Sequence, residues 1–194
     1  LLDEGVKFYG ALGNHDAREQ RFYEAFNMGG KLYFSFHAPH EPVRFFVRDS
    51  TYPVPEQIEW LKKELENSTE DWKIAYFHHP PYPSEGRHGS DVKLRQTREP
   101  LFVKNNISVV FTGHDHFYER IKPQQGIVYF VVGSGGMLAP GDINPNTGIT
   151  DKGFDTDRAF LVAEIKDDKM TFQAISRTGD VVVSGIVLRR KQNP

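Results

Sequence analysis

The sequence predicts an α/β fold in its first two-thirds and antiparallel β-structure at its end, packed as one domain over residues 1–194. Two observations predict the first part. Short apolar runs alternate with segments of helical spacing, and three of those runs end directly in histidine-bearing loops. A third observation predicts the second part: beyond residue 126 the chain turns to strand-like runs separated by turn chemistry.

Val6–Leu12 is an apolar run that stops at Gly13-Asn14-His15-Asp16, as a strand followed by a loop. Residues 17–27 place Arg18, Glu19, Phe22, Tyr23 and Phe26 at helical spacing and end at Gly29-Gly30. Leu32–Phe36 and Val43–Arg48 read as strands, the second with partial alternation. Pro55 suits the first turn of a helix whose apolar stripe is Ile58, Leu61 and Leu65, with Trp60 beside it. Lys73–Phe77 is a strand ending in His78-His79-Pro80-Pro81. Residues 93–105, with Leu94, Leu101 and Phe102, read as a helix that Pro100 either kinks or starts late. Ile107–Phe111 is a strand that ends in Gly113-His114-Asp115-His116. Four runs follow, Ile127–Val132, Ala159–Ile165, Met170–Ser176 and Val181–Leu188, the last two joined by a tight turn at Thr178-Gly179-Asp180. Residues 133–157, rich in Gly, Asp, Asn and Pro, read as a long surface excursion.

Composition narrows the chemistry. With 38% hydrophobic and 26% charged residues the chain is a folded globular protein rather than a disordered one. A formal charge of -2 with eight neutral His excludes strong electrostatic attraction to nucleic acid, and no apolar stretch is long enough for a membrane span. Zero Cys excludes thiolate ligands, disulfides and cysteine nucleophiles, so transition-metal chemistry must run on His, Asn and carboxylates. The chain opens Leu1-Leu2-Asp3-Glu4-Gly5, without Met or a leader pattern, and the expectation is that an N-terminal portion is missing.

Ligands in open α/β sheets sit outside the carboxyl ends of strands. Parallel placement of the three runs would gather Asn14, His15, His78, His79, His114 and His116 at one sheet edge. Unpaired imidazoles gain little from crowding, whereas a divalent metal makes it favourable. At this His content the pattern His-x-His arises by chance about 0.3 times per chain, while Gly-Asn-His-Asp arises on the order of 0.002 times. Of His78 and His79, one is expected to bind metal and the other to support it. His37 and His40 read as surface residues, Gly133-Ser134-Gly135-Gly136 as a close-packed turn near the metal edge, and Tyr118, Glu119 and Arg120 as supports of the 114–116 loop.

Gly13-Asn14-His15-Asp16, His78-His79-Pro80-Pro81-Tyr82 and Gly113-His114-Asp115-His116-Phe117-Tyr118-Glu119-Arg120 resemble the later blocks of the calcineurin-like metallophosphoesterases, in particular the purple-acid-phosphatase branch. The resemblance runs in order over about residues 8–135. It implies a four-layer αββα sandwich, here partial and without its first strands, with two metals (Fe, Zn or Mn) at the strand ends. It implies Asn14, His78 and His114 as ligands of one metal and His116 of the other. It implies His15 as the histidine that meets the phosphoryl group, oriented by Asp16, and His88 as a second substrate-side histidine. The family's first two blocks, which supply one terminal and one bridging carboxylate, have no match before Gly13, in keeping with a missing front end. The expected activity is hydrolysis of small phosphomonoesters by metal-activated hydroxide, in an extracytoplasmic location. The competing expectations are a metal-binding unit without turnover, and a phosphodiesterase or nuclease.

Overall fold

The computed structural model describes residues 5–39, 41–82, 84 and 92–191, with the backbone alone at 92–94. Ten strands and two α-helices are described. In chain order they are β1 (Phe34–His37), β2 (Val43–Val47), α1 (Pro55–Glu66), β3 (Trp72–Phe77), α2 (Val92–Lys104), β4 (Val109–Thr112), β5 (Tyr118–Gln124), β6 (Ile127–Val132), β7 (Thr150–Phe154), β8 (Ala159–Lys166), β9 (Lys169–Ser176) and β10 (Val181–Leu188).

A seven-stranded mixed sheet runs β1-β2-β3-β4-β6-β5-β7, with β2, β3, β4 and β6 parallel at its centre. Central parallel strands are covered on both faces, which is why β3 and β4 read as nearly unbroken apolar runs. On one face α1 and α2 bury Leu61, Leu65 and Phe102 against Phe46, Ala75, Phe77 and Val110. On the other, an antiparallel sheet β10-β9-β8 buries Met170, Phe172, Ala174 and Val187 against Trp72, Ile74, Val109 and Phe130. The layers are therefore helix, sheet, sheet. Among the described residues no fourth layer covers the outer side of β8–β10, where Phe160, Val162, Ile186 and Leu188 are exposed.

Local sequence accounts for the helix ends. Pro55 occupies the first turn of α1, and Gln57, Leu61 and Leu65 form its buried stripe, with Ile58 only half-buried. Gln57 is buried because its amide spans Arg48 Nε (3.1 Å) and Asp49 O (3.0 Å). α2 runs through Pro100 and closes on Asn106 at φ 60, with Ile107 N–H bonded to Phe102 O at 3.0 Å. That is a Schellman-type cap with Asn in the left-handed position, and it aims the chain straight into β4.

The structure corrects several expectations. Val6–Leu12 forms no strand, because β2 and β4 already flank β3. The segment instead packs Tyr9, Ala11 and Leu12 beside Phe34, Val47 and Tyr76, and Tyr9 O accepts the Tyr76 hydroxyl at 3.1 Å. Residues 17–27 form two 3-10 turns, Arg18–Phe22 and Glu24–Phe26, rather than an α-helix; none of their residues is buried, so no apolar face holds a longer helix together. β5 and β7 were not anticipated. β7, with an exposed middle and a glycine at 153, carries no alternation, and it pairs with β5 inside the 133–157 excursion. β6 is parallel to β4, so the purely antiparallel part begins only at β8.

Candidate metal centre

Register brings the histidine loops together. Phe77 of β3 pairs with Thr112 of β4, so His78 and Gly113 leave the sheet side by side, and Gly113 N–H donates to His78 O at 3.0 Å. Val47 of β2 pairs with Tyr76, which brings the loop after β2 level with His79. Ser50 of that loop receives the His79 N–H at Oγ (3.0 Å) and bonds His79 Nδ1 through the same hydroxyl (3.0 Å). The loop is itself fixed, since Asp49 Oδ1 accepts the N–H groups of Thr51 (2.8 Å) and Tyr52 (3.0 Å).

Asn14 arrives on a tight turn. Asp16 N–H donates to Gly13 O at 3.2 Å, and Asp16 Oδ2 accepts Gly13 N–H at 2.8 Å. The turn places Asn14 Oδ1 2.7 Å from His78 Nε2, and His78 Nε2 is also 3.0 Å from His114 Nδ1. One ring nitrogen carries at most one hydrogen, so it cannot donate to both neighbours at full strength. Two donors bound at about 2.1 Å and at right angles to one cation are about 3.0 Å apart, which is close to both separations. His78, His79 and His114 each offer a nitrogen within 4.8 Å of the others.

Glycines make the approach possible. A Cβ at Gly13 would stand 2.6 Å from the His78 ring, so only glycine lets this turn lie against the imidazole. His114 adopts the left-handed conformation at φ 67, one of five non-glycine residues to do so among the described residues. Its loop continues as two short turns (Asp115 N–H to Gly113 O, 2.8 Å; Phe117 N–H to Asp115 O, 2.9 Å) and rests on Gly133, whose N–H reaches Phe117 O at 3.1 Å. A Cβ at Gly133 would stand 2.0 Å from Asp115 O, a backbone atom that cannot rotate away. Gly133→Ala is expected to destabilise the chain by about 2–3 kcal/mol, read as a lowered urea midpoint. The Gly133–Gly136 stretch is thus a close-packed turn, with Ser134 Oγ taking the Ala159 N–H at 3.1 Å.

Burial, followed by the neighbouring charges of His79 and His114, lowers the His78 imidazole to about 4; His15 acts in the same sense and Asp16 against it. The folded chain therefore holds His78 neutral where the unfolded chain protonates it. Its contribution to stability is complete above about pH 6.5 and is lost as pH falls toward 4. In the metal-free chain the His78 Hε1 resonance is expected to titrate below pH 5; a midpoint near 6.5 would contradict this environment.

Of the other expected site residues, His15 stands exposed on the 13–16 turn. His116 is half-buried and lies outside the three-imidazole group, with its carbonyl accepting Ala139 N–H at 3.0 Å. His88 and His40 lie outside the described residues. His37 is at the far end of β1, paired with Glu70 at 2.9 Å. Glu119 is fully buried and accepts bonds from Ser84 N (3.3 Å) and the Thr150 hydroxyl, while Arg120 pairs with Asp151 (2.6 Å); these side chains tie β5 to Ser84 and β7 rather than to the 114–116 loop. A cleft of about 290 Å³ opens beside His78, lined also by Gly113, Ala11, Tyr76, Phe111 and Val132. A larger hollow of about 520 Å³ lies on the outer side of β8–β10, and among the described residues no cluster of potential metal ligands lines it. Reasoning from sequence missed Ser50, which no motif signals, and left His79 undivided from His78.

The family model described as calcineurin-like phosphoesterase matches residues 1–118. Purple acid phosphatase 15 of Arabidopsis thaliana is 34% identical over 139 residues, which are 62% of this chain and 26% of that protein. Among solved structures, the purple acid phosphatase PPD1 from yellow lupin seeds superposes with a TM-score of 0.71 at 20% identity, over 94% of this chain and 39% of that one. A dimetal phosphatase from Danio rerio superposes with a TM-score of 0.67 at 15% identity, over 97% of this chain and 74% of that one. The chain spans roughly a third or less of the length of the first curated relatives it matches.

Proposed function

This chain belongs to the calcineurin-like phosphoesterase family, and from that premise we propose that residues 1–194 act as one domain that hydrolyses phosphate esters, monoesters foremost, at a cation-dependent site. The observation that carries the proposal is the convergence of Asn14 Oδ1 and His114 Nδ1 on His78 Nε2, at 2.7 and 3.0 Å, from three separate parts of the chain. The donor set fits a transition metal: it is all nitrogen and oxygen, it stands at ligand-to-ligand spacing, and burial keeps its central imidazole neutral.

In this reading Asn14, His78 and His114 hold one cation and His116 belongs to a second, with Fe, Zn or Mn as the candidates. Bound there, such ions supply positive charge that polarises a phosphoryl oxygen and eases the ionisation of water. The chain's own groups do the rest. His15, exposed on its turn, donates to a phosphoryl oxygen or to the leaving alkoxide. Asp16 holds that turn through Gly13 N–H and so sets where His15 stands. His88 is the second substrate-side histidine of the same proposal. Tyr76, Phe111 and Val132 give the open cleft an apolar wall beside His78. The reading includes a location outside the cytoplasm; among the described residues no helix is long and apolar enough to cross a membrane.

The test is metal content together with turnover of p-nitrophenyl phosphate and its bis-ester. Two ions per chain and monoester turnover are the expected result. One ion or none, with neither ester hydrolysed, overturns it in favour of a metal-binding unit without turnover. Hydrolysis of the bis-ester alone makes the protein a diesterase.

A further inference from the structure

The phosphoesterase reading needs one of the two adjacent histidines at the end of β3, and the structure delivers both. The ring centres of His78 and His79 are 4.8 Å apart, those of His78 and His114 4.9 Å, and those of His79 and His114 4.5 Å. An imidazole bound through nitrogen at about 2.1 Å has its ring centre about 3.2 Å from the ion, so two such rings are about 4.5 Å apart at right angles and about 5.2 Å apart at the tetrahedral angle. All three pairs fall within that interval.

Edge-to-face packing reaches similar ring separations, and a hydrogen bond alone brings two ring nitrogens to 3.0 Å, but one nitrogen with a single hydrogen meeting two such partners goes beyond either. Here His78 Nε2 faces His114 Nδ1 at 3.0 Å and Asn14 Oδ1 at 2.7 Å, and His79 offers a nitrogen to the same group. His79 is also fixed in orientation. A single hydroxyl, Ser50 Oγ, takes its backbone N–H and meets its Nδ1, each at 3.0 Å. With Nδ1 engaged by Ser50, Nε2 is the nitrogen that would face a cation. A hydrogen bond to the second ring nitrogen is the usual means of fixing a ligating histidine.

We infer that His79 is a third imidazole ligand, so that Asn14, His78, His79 and His114 together offer one cation three imidazoles and one amide oxygen. The inference rests on the cation-dependent reading above and deepens it. The three nitrogens lie within 4.8 Å of one another, the His78–His114 pair already at 3.0 Å, so the wider pairs close by at most about 1.5 Å around a shared ion. A neutral, nitrogen-rich set selects Zn(II) or Co(II) over Mg(II) and Ca(II), and leaves the ion's full charge to attract an anion.

Co(II) and Zn(II) are the probes. The chain is expected to take up Co(II) with a visible absorption band. His79→Ala is expected to lower Co(II) affinity by 100-fold or more and shift the band, and Ser50→Ala to lower affinity by about 10-fold. In the parent chain with 15N-labelled histidine, Zn(II) is expected to shift the ring nitrogens of His79 together with those of His78 and His114. This measurement decides the matter even if a variant fails to fold. Zn(II) binding that leaves the His79 ring unshifted, or a folded His79→Ala chain with unchanged affinity and spectrum, overturns the inference and spares the Asn14–His78–His114 site. No binding of either ion by the parent chain overturns both.

Discussion

Replacing His78 with alanine is expected to lower the chain's affinity for Zn(II) by more than about 100-fold and its phosphate-ester turnover by about 1,000-fold or more. Among the described residues His78 is hydrogen-bonded to both Asn14 and His114, so its loss removes the donor that links the 13–16 turn to the 114–116 loop. The fold does not depend on the side chain: the bond that ties β3 to β4 here is made by the His78 carbonyl to Gly113 N–H. The variant is therefore expected to keep its circular dichroism spectrum. Without metal it is also expected to lose less stability than the parent between pH 6.5 and 4, since it lacks an imidazole that burial keeps from protonating. Calorimetric titration with Zn(II) and urea melts at pH 7 and 5 check the two halves. An affinity within a few-fold of the parent would place the cation elsewhere.

Much of this arrangement was legible in the sequence, and the part that was not has a physical reason. β3 and β4 announced themselves because strands covered on both faces must be apolar throughout, and both run into histidine at the point where the sheet ends. Their register is what makes the histidines neighbours. β5 was hidden by its own composition, since Tyr118, Glu119, Arg120 and Lys122 do not look like a strand until Glu119 is seen buried against Ser84 and Thr150. The run at 6–12 has strand composition but lies where both neighbours of β3 are already in place, so local pattern and tertiary pairing disagree. The site shows the same division. Asn14, His78 and His114 sit in recognisable strings, whereas Ser50 meets His79 across 29 residues of sequence and carries no local signal at all. Gly13 and Gly133 were visible as turn residues, but their purpose is close approach to His78 and to the Asp115 carbonyl, and close approach exists only in three dimensions.

His15→Ala is expected to separate chemistry from metal binding, lowering turnover by about 100- to 10,000-fold while leaving Zn(II) affinity within a few-fold of the parent. His15 shares a turn with Asn14 but not its direction: Asn14 Oδ1 meets His78, while the His15 ring lies in solvent. It stands one residue from Asn14, whose amide oxygen meets His78 at 2.7 Å, so it is carried on the turn that borders the same imidazole. The turn is secured by the Asp16 carboxylate and the Gly13 amide, neither of which involves the His15 side chain, so its truncation leaves Asn14 where it is. The loss is expected in kcat more than in KM, because a group that protonates the departing oxygen acts in the transition state. Esters with better leaving groups need that proton less, so the deficit is expected to shrink from an alkyl phosphate to p-nitrophenyl phosphate. A fall in Zn(II) affinity parallel to the fall in rate would instead make His15 a metal ligand, and equal deficits across leaving groups would make it a residue that only binds the phosphoryl oxygen.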